Sequence, residues 1–508
     1  MKKDKIINIE KAAELAIQFR KKKTKVILCH GVFDILHIGH IKHLQEAKNF
    51  GGKLFVSITE DKNVKKGANR PAFNQNLREE ALSALESVDY VFINKWPTAI
   101  NTIKKIKPDI YCKGPDYKSS KDDLTGMIDQ EKNAVNLIKG KIKYTESKTF
   151  SSSNLLNKYS NILNDQQKEF LKKINKIADF NQIKKLVDDF KKMKVLVIGE
   201  TIIDEYVFCE ALGKSGKEPV LVLRDLKKEK YVGGAAAVAR HISDFCSSIT
   251  LLTMIGEDSN YKDFIKKNLN NNIKFDYIKK DSSPTIYKKR YVDQINNNKI
   301  LGVYSLNDKQ LNIKNENQLQ KKLNKLIPKH DLVILSDYGH GFISKKLANQ
   351  ILRLSPFTAL NTQINSSNIG HHSIEKYKKV ECVIINVDEL RYELRDKDSD
   401  TKVLMKVLCK KRNIINLIVT KGKNGAILYN SKKNSYFFCP AFANKVIDKI
   451  GSGDAMLALT SLAIQKNYNH FISLYLGSLA ASQSVESMGN KDNVNKQSML
   501  KVIKHLSS

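Results

Sequence analysis

The sequence predicts an α/β protein with two doubly wound domains, each built on a mainly parallel sheet. Short apolar runs alternate with amphipathic helical runs over residues 24–155, and the same alternation returns from residue 195 to the end. Strands joined by crossover helices produce this pattern, and such strands are parallel. The 508 residues suit two to four domains at roughly 150 residues each. With 41% hydrophobic residues the chain can bury real cores, which excludes full-length disorder.

In the N-terminal region the expected elements follow one another with little chain between them. They are a strand at 25–29, a helix at 40–49, a strand at 53–58, a helix at 77–86, a strand at 90–93, a helix at 100–105 and a strand at 109–112. Residues 157–192 are rich in Lys, Asn and Asp, with Leu, Ile and Phe at helical spacing, so we expect a helical connector. The predicted domains are therefore 1–157 and 191–508, joined by a linker over 158–190.

The C-terminal region contains the more strongly apolar strands. We expect them at 195–199, 331–336, 382–385, 417–420 and 426–429. Between residues 275 and 306, Tyr, Ile and Val recur with polar neighbours and few helix formers. This composition favours strands over helices, so we expect a small antiparallel β lid inserted in the second domain.

Charge and cysteine usage limit the functional classes. The formal net charge is +34, but only ten of the 87 basic residues are Arg and the Lys residues are spread over the whole chain. Specific nucleic-acid contacts rely on Arg, so nucleic-acid binding is the weaker interpretation. Seven scattered cysteines without a CxxC pair predict reduced, structural thiols in a cytoplasmic protein and no zinc site. No run of 18 apolar residues and no signal peptide are found, so we expect no membrane association.

The first chemical motif follows the first predicted strand directly. Residues 30–40 read His-Gly-Val-Phe-Asp-Ile-Leu-His-Ile-Gly-His and open a helix. A turn between a parallel strand and a helix directs N–H groups toward an anion. Gly31 permits the turn, and Gly39 permits close approach of a nucleotide. His37 and His40 lie three apart on one helix face, so both rings can reach one phosphate group and stabilise its charge during transfer.

This pattern resembles that of the HxGH nucleotidylyltransferases, which include glycerol-3-phosphate cytidylyltransferases and heptose 1-phosphate adenylyltransferases. The resemblance covers residues 24–157, where 113–117 reads Lys-Gly-Pro-Asp-Tyr as in the heptose-type members and 149–153 resembles a Ser/Thr-rich loop that closes on the triphosphate. It implies catalysis by His37 and His40. It also implies nucleotide or phosphate binding by Gly31, Phe33, Asp34, Gly39, Arg70, Arg78, Lys113, Ser151, Ser152 and Ser153. Class I aminoacyl-tRNA synthetases share the His-Ile-Gly-His tetrapeptide, but 118–121 does not have the form or spacing of their second motif.

The second chemical motif lies near the C-terminus, where Gly451-Ser452-Gly453-Asp454 precedes an apolar helix. The N–H groups of such a turn can form an anion hole for a phosphoryl group in transfer. Asp454 can take the proton of an attacking hydroxyl group, which contributes roughly 10²–10⁴-fold in rate. A turn of this composition could also serve only as a helix cap, so the functional interpretation depends on the motifs that accompany it.

Four further segments accompany this turn: 233–234 read Gly-Gly, 336–341 read Ser-Asp-Tyr-Gly-His-Gly, 386–389 read Asn-Val-Asp-Glu and 420–425 read Thr-Lys-Gly-Lys-Asn-Gly. In order and spacing they resemble the motifs of the PfkB or ribokinase-like sugar kinases, over residues 190–505. The resemblance implies that Asp454 is the catalytic base and that Asn386 and Glu389 organise Mg²⁺, indirectly, and phosphate. Nucleotide or phosphate binding is implied for Thr420, Gly422, Gly425, Gly451, Ser452 and Gly453. Sugar binding is implied for Asp204, Gly233, Gly234, Lys288 and Asp337. Mg²⁺ and ATP are the implied cofactor and substrate, with a monovalent cation as an optional addition.

A sugar kinase and a nucleotidylyltransferase on one chain imply consecutive steps. The pair resembles the bifunctional ADP-heptose synthases of Gram-negative bacteria, with the two parts in the opposite order. This resemblance implies ADP-heptose synthesis for lipopolysaccharide, with a sugar phosphate and a nucleoside triphosphate as partners and a homodimer as a compatible assembly. Ala237 and Asn361 depart from the heptose kinases, so CTP or GTP and a non-heptose sugar stay open. A non-catalytic nucleic-acid-binding or regulatory protein is the other alternative, supported by charge alone.

Overall fold

The computed structural model describes residues 3–64, 71–115, 127–146, 163–258, 260–443 and 445–507. It divides into two compact units, Met1–Asn164 with Gln497–Ser508, and Asp165–Lys496. The three-part division drawn from the sequence stays a prediction. None of the helices in the described part of the chain has the length and apolar character that crossing a bilayer requires.

The first unit contains a five-stranded sheet in which every pair of neighbours is parallel. Its strands are β1 (Val26–Gly31), β2 (Lys53–Thr59), β3 (Tyr90–Asn94), β4 (Ile110–Lys113) and β5 (Lys141–Tyr144), in the order β3-β2-β1-β4-β5. Its helices are α1 (Ile9–Lys21), α2 (Ile38–Lys48), α3 (Gln75–Ser83), α4 (Ile100–Ile106) and α5 (Met127–Leu137). The predicted parallel α/β fold is confirmed, and helix α1 is an addition to it.

Alternation along the strands explains why this sheet carries helices on both faces. Val26 and Leu28 of β1 belong to one core cluster, and Ile27 and Cys29 belong to a second cluster on the other face. The second cluster also contains Leu44 of α2. Strand order reverses between β1 and β4, and ligands of doubly wound sheets bind at the carboxyl ends of strands at such a point. The motif over 30–40 lies there.

The second unit is built on a nine-stranded sheet whose order is β10-β9-β6-β13-β14-β15-β16-β17-β18. Its strands are β6 (Lys194–Gly199), β9 (Ser248–Ile255), β10 (Ile273–Lys279), β13 (Leu332–Asp337), β14 (Thr358–Thr362), β15 (Cys382–Asn386), β16 (Asn416–Thr420), β17 (Ala426–Asn430) and β18 (Ser435–Cys439). Neighbours from β10 to β16 are parallel, and β17 and β18 add antiparallel edge strands. The described part of this unit has these helices: α6 (Asp165–Ile177), α7 (Phe180–Asp189), α8 (Ala235–His241), α9 (Asn260–Lys267), α10 (Ile313–Leu326), α11 (Lys345–Leu354), α12 (Val387–Leu394), α13 (Thr401–Arg412), α14 (Ser452–Gln465) and α15 (His470–Ser484). A last helix, α16 (Lys496–Leu506), belongs to the first unit from Gln497 onward.

The lid is a separate four-stranded sheet, and it is larger than the sequence indicated. It contains β7 (Thr201–Lys214), β8 (Leu221–Gly234), β11 (Tyr287–Asp293) and β12 (Lys299–Ser305), in the order β12-β11-β7-β8. Two details of the prediction are wrong: residues 273–279 belong to the main sheet, and β11 pairs with β7 in parallel. Strands β7 and β8 were both missed as lid strands. Most of β8 is exposed on both faces, so it lacks the alternation that reveals a half-buried strand.

Candidate active sites

A cavity of about 320 Å³ opens in the second unit, where the parallel strands end and the lid begins. The strand ends supply Asn361, Asn386 and Thr420, and the lid supplies Asp204, Lys288 and Arg290. The segment before α14 and its first turn, residues 449–454, form the rest of one wall. Side chains far apart in the sequence meet here because the carboxyl ends of parallel strands share one edge of the sheet.

Asp454 lies in the first turn of α14 and faces this cavity. Its Oδ1 accepts a hydrogen bond of 2.7 Å from the hydroxyl group of Tyr338. Withdrawal from solvent raises the pKa of Asp454 to about 7, although the Tyr338 hydroxyl opposes that shift. A carboxylate with a pKa near neutrality can accept a proton during a reaction and release it afterwards.

The turn before Asp454 has the geometry of an anion site. Gly451 adopts a left-handed conformation (φ 87°), and a Cβ there would lie 2.2 Å from Oδ1 of Asn490, so glycine is required. No side chain caps α14, and a Cβ on Gly453 would meet nothing within 4 Å. The N-terminus of α14 therefore presents N–H groups and a positive dipole end to the cavity.

The opposite wall carries a charged cluster on the lid. Arg290 forms an ion pair with Asp204, and Lys288 is the strand partner of Asp204. Burial lowers the pKa of Lys288, whose Nζ lies 5.9 Å from the ring centre of Tyr338. A Cβ on Gly233 would lie 2.4 Å from Oδ2 of Asp204, so only glycine lets the backbone approach this carboxylate. The cluster offers both acceptors and donors to a polyhydroxylated or anionic ligand.

Asn386 and Glu389 form a capping box at the start of α12 and both line the cavity. The Glu389 carboxylate accepts N–H bonds from Asn386 (2.8 Å) and Ile364 (3.2 Å), and burial raises its pKa to about 7. Each oxygen keeps a further lone pair, so the carboxylate can accept hydrogen bonds from metal-bound water. The all-oxygen donors here fit Mg²⁺, which retains several of its water molecules in proteins.

Only some of the remaining predicted kinase residues line the cavity. Thr420 and Gly234 line the cavity, whereas Gly422 and Gly425 shape the turn between β16 and β17 with positive φ angles. Asp337 does not line the cavity. Its carboxylate is buried and is held by the Tyr377 hydroxyl (2.6 Å) and Lys376 Nζ (2.6 Å).

A carboxylate near the anion site could hold a monovalent cation, and Asp448 lies three residues before Gly451. Its carboxylate is almost fully buried and is contacted by Lys299 Nζ (2.5 Å), the Tyr206 hydroxyl (2.9 Å) and Gly489 N (3.1 Å). Lys299 lies on lid strand β12, so its ammonium group already supplies the positive charge there. The described residues at Asp448 therefore fit a lysine counter-ion better than a free metal ion.

In the first unit, His37 and His40 meet at the start of α2. Their rings stack with centres 4.0 Å apart, and the ring of Phe33 lies edge-on to His40 at 5.3 Å. His37 caps the helix by accepting from Gly39 N (3.1 Å), so a neutral His37 carries its proton on Nε2. His40 Nδ1 lies 3.1 Å from the carbonyl oxygen of Ile35. These bonds hold the two rings in a stack with an angle of 25° between their planes, and both are partly exposed, as a phosphate-contacting pair must be.

Several predicted phosphate ligands of this unit are engaged elsewhere. The buried guanidinium of Arg78 binds the carbonyl oxygens of residues 32, 59 and 73 and the carboxylate of Asp61. Asp34 accepts from Ala72 N (2.6 Å), and Lys113 pairs with Glu131 at 2.8 Å. The structure therefore places Arg78 and Asp34 as supports of the loop after residue 71. Arg70, Ser151, Ser152 and Ser153 lie outside the described residues.

Arg78→Met is expected to lower the free energy of unfolding of the first unit by about 3 kcal/mol, because it removes a buried hydrogen-bonding group and leaves its partners unsatisfied. Chemical denaturation of the full chain, followed by circular dichroism, measures the effect. Lys62→Met, which changes an exposed residue nearby, is the control and should leave the midpoint unchanged. An unchanged midpoint for Arg78→Met, together with weaker nucleotide binding, would instead support the predicted phosphate contact.

Sequence reasoning did not assign roles to three residues of the cavity. Tyr338 stands inside a predicted loop motif, but only the fold directs its hydroxyl group to Asp454. Arg290 lies within the predicted lid segment 275–306, and its pairing with Asp204 depends on β7 and β11 being neighbours. No motif in the sequence around Asn490 indicated a role in the site. It is buried against Gly233 and Gly451 by the chain after α15.

The architecture of the second unit defines a ribokinase-like phosphotransferase fold. Its solved neighbours include phosphofructokinase-2 of Escherichia coli in complex with potassium (TM-score 0.52, 14% identity) and the same enzyme with substrates and products (TM-score 0.51, 14% identity). Each of the two alignments covers 62% of this chain and 100% of the phosphofructokinase-2 chain. The family model of pfkB family carbohydrate kinases matches residues 192–497, and a cytidylyltransferase-like model matches residues 28–158. The chain therefore belongs to the pfkB carbohydrate kinase family and carries a cytidylyltransferase-like region before the kinase.

Curated relatives of the chain include proteins that share one name. "Bifunctional protein HldE" of Nitratiruptor sp. is 26% identical over 305 residues, which cover 59% of this chain and 62% of that protein. "Bifunctional protein HldE" of Aliarcobacter butzleri is 40% identical over 139 residues, 27% of this chain and 29% of that protein. The chain thus spans less than two thirds of the length of these relatives in any one alignment. The two alignment lengths are close to those of the kinase and transferase regions.

Proposed function

We propose that the chain is a bifunctional enzyme that makes a nucleotide-activated sugar, ADP-heptose. The kinase half phosphorylates C1 of heptose 7-phosphate with ATP, and the transferase half joins AMP to the resulting heptose 1-phosphate and releases pyrophosphate. The observation that carries the kinase half is Asp454, which lies at the end of an anion site and faces the Asp204–Arg290 pair across one cavity. The shared name of the relatives supports combining this half with the transferase.

In the kinase half, each wall of the cavity has a chemical task. Asp204 accepts hydrogen bonds from sugar hydroxyl groups and orients the ring. Asp454 takes the proton of the anomeric hydroxyl group as its oxygen attacks the γ-phosphate of ATP. The N–H groups at Gly451–Gly453 hold the transferring phosphoryl group. Asn386 and Glu389 would hold a Mg²⁺ ion through its water molecules, and the ion would supply charge neutralisation at the phosphates.

In the transferase half, His37 and His40 contact the α-phosphate of the nucleotide. The attacking sugar 1-phosphate oxygen adds charge to that group, and the pyrophosphate leaves with the electron pair of the bond that breaks. The N–H groups of the two rings stabilise this charge. No general base is needed, because the attacking phosphate is already ionised. The N-terminus of α2 adds a positive dipole end beside the rings.

A second candidate keeps both reactions with CTP or GTP and a non-heptose sugar. Asn361 and Gln363 line the cavity where many relatives of the kinase family carry charged or proline residues, and Ala237 replaces an amide side chain in α8. Asn361 and Gln363 change the hydrogen-bonding groups on the cavity wall, which alters specificity more readily than it alters catalysis, whereas Ala237 is buried and does not line the cavity.

The deciding experiment is ³¹P NMR of the full chain with Mg²⁺, ATP, CTP and D-glycero-D-manno-heptose 7-phosphate. A new anomeric phosphate signal followed by an ADP-linked diphosphate signal is the expected result. A CDP-linked signal would support the second candidate. If ATP and the heptose phosphate persist while a control kinase turns over, the heptose assignment is wrong, and other sugars should be screened with the same readout.

Tyr338→Phe is expected to shift the acidic limb of the kinase pH profile upward. The base acts when ionised, so kcat/KM should rise with pH through about 7, the pKa of Asp454. The Tyr338 hydroxyl favours the ionised carboxylate, so its loss should raise the pKa of Asp454 above that value. A pH–rate profile measures the shift. An unchanged acidic limb in the variant would mean that another group titrates.

Lys299→Met is expected to make the kinase dependent on a monovalent cation. The variant leaves the buried Asp448 carboxylate without its counter-ion, close to the anion site, and a small cation can take that place. Kinase rates in KCl and in tetramethylammonium chloride at equal ionic strength measure the effect. Wild type should show little difference, whereas the variant should be slow and should recover in KCl. A wild-type enzyme that already requires K⁺ would contradict this role of Lys299.

A further inference from the structure

Three side chains of the first unit converge although they lie far apart in the sequence. Cys29 of β1 and Cys112 of β4 are directly paired across neighbouring parallel strands. Both belong to the core cluster on the face of the sheet that α2 covers, and His43 lies on that helix. One ligand atom from each of the three residues can be chosen so that all lie within 4.8 Å of one another. Neither the kinase nor the transferase chemistry uses this cluster.

The protonation state of His43 suits metal binding. Burial lowers the pKa of His43 to about 4, so its ring is neutral at physiological pH. Its Nδ1 lies 2.9 Å from the hydroxyl oxygen of Thr145, which can accept the ring hydrogen and leave the lone pair on Nε2. A ligating histidine is commonly oriented by such a bond from its other nitrogen. Hydrogen bonding with Cys112 and burial raise the pKa of Cys29, so metal binding would have to displace protons.

We propose that Cys29, His43 and Cys112 bind one Zn²⁺ ion. Two sulfur ligands and one imidazole are the donors that Zn²⁺ prefers, and a water molecule can complete its tetrahedron. In a tetrahedral site the sulfur and nitrogen atoms lie about 3.5–3.8 Å apart, so the distances between the ligand atoms need to shorten by about 1.3 Å at most. No other His, Cys, Asp or Glu in the described ranges joins the cluster.

The charge balance also favours this ion. Two thiolates neutralise Zn²⁺, so the bound site adds no net charge to the core. Lys113 lies next to Cys112 in the chain, but its ammonium group is paired with Glu131 at 2.8 Å and does not leave the site with an uncompensated cation. The two thiol protons leave to solvent when the metal enters, and no oxidation or reduction is involved.

The site lies one helical turn beyond His40, between α2 and the point where the strand order reverses. A metal there would join β1, β4 and α2, and so hold the helix that carries His37 and His40 against the sheet. This is a positioning and stabilising role. The cysteine pattern does not reveal it, because the ligands come from two strands and a helix rather than from a short motif.

The test uses the full chain, reduced with a phosphine and dialysed against micromolar ZnSO₄ and then against metal-free buffer. Mass spectrometry of the metal content should find one Zn²⁺ per chain. Cys112→Val and His43→Ala should lose it, whereas Cys382→Val, a matched change of a buried cysteine in the other unit, should retain it. His40→Ala should also retain it, which separates this site from metal held by the His37–His40 pair.

Two further readouts keep the proposal testable if a variant does not fold. Co²⁺ added to the wild-type chain should give a thiolate-to-metal charge-transfer band, which ligation by histidines alone cannot produce. Zn²⁺ should raise the Tm of the first unit by about 5 °C, because it binds the folded state alone. Zinc well below one per chain, zinc retained in folded Cys112→Val, or a Cys29–Cys112 disulfide found by peptide mass spectrometry would each overturn the proposal.

Discussion

Asp454→Asn is expected to lower kinase kcat by at least about 10²–10⁴-fold and to leave nucleotidyl transfer unchanged. Asparagine keeps the size and the hydrogen bond from Tyr338 but cannot accept the proton of the attacking hydroxyl group. Two coupled assays measure this on the same preparation, one for ADP release with the sugar phosphate and one for pyrophosphate release with the sugar 1-phosphate. Because the amide fills the same space, ATP binding should change little.

Asp263→Asn is the matched control for that variant. Asp263 is an exposed residue in the first turn of α9 and does not line the cavity, so both rates should stay at the wild-type level. A folded Asp454→Asn protein that loses both activities would show that the two reactions do not use separate sites. A variant with wild-type kinase rates would show that the base is another group.

His40→Ala is expected to lower nucleotidyl transfer by about 10²–10³-fold while kinase turnover persists, because it removes a charge-stabilising donor from the transferring phosphate. His40 is preferable to His37 for this test, because His37 also caps α2 and its loss would disturb the helix start. Pyrophosphate release at saturating nucleotide measures the effect. The loss should appear in kcat more than in KM, since the contact strengthens as charge builds on the phosphate.

Lys42→Ala changes an exposed residue of the same helix and is the control for His40→Ala. Its two activities should both match wild type. If His40→Ala reduced kinase and transferase rates by the same factor, a folding defect would explain the loss. An unchanged transferase rate in His40→Ala would remove the histidine pair from the proposed mechanism and leave the helix dipole as the main anion-binding feature.

The sequence predicted most strands of the two main sheets within a few residues. In the first unit, the strand expected at 53–58 is β2 (Lys53–Thr59), and the helix expected at 40–49 is α2 (Ile38–Lys48). These elements are predictable because each is decided by local periodicity and by burial on both faces of a parallel sheet. The prediction of the lid was wrong in part. The exposed strand β8 has no apolar alternation, and its pairing with β7 holds it in place.

The candidate sites show the same division. The segment 451–454 and the pair His37–His40 could be selected from sequence, because an anion site at a helix N-terminus is a local structure. Arg78 shows the limit of that reasoning. Its position before a helix suggested a phosphate contact, but whether its donors are available depends on carbonyl groups of β2 and of the loops around residues 32 and 73, which only the fold brings around it.

The sequence by itself determined the two α/β units, the order of the motifs and the residues that open α2 and α14, because each depends on neighbours along the chain. The tertiary structure decided which groups face one another: Tyr338 with Asp454, Lys299 with Asp448, and Cys29 with Cys112 and His43. Strand order and lid placement create these contacts between residues far apart in sequence. Local composition cannot encode that proximity, because the same residue pattern would serve equally well beside a different neighbouring strand.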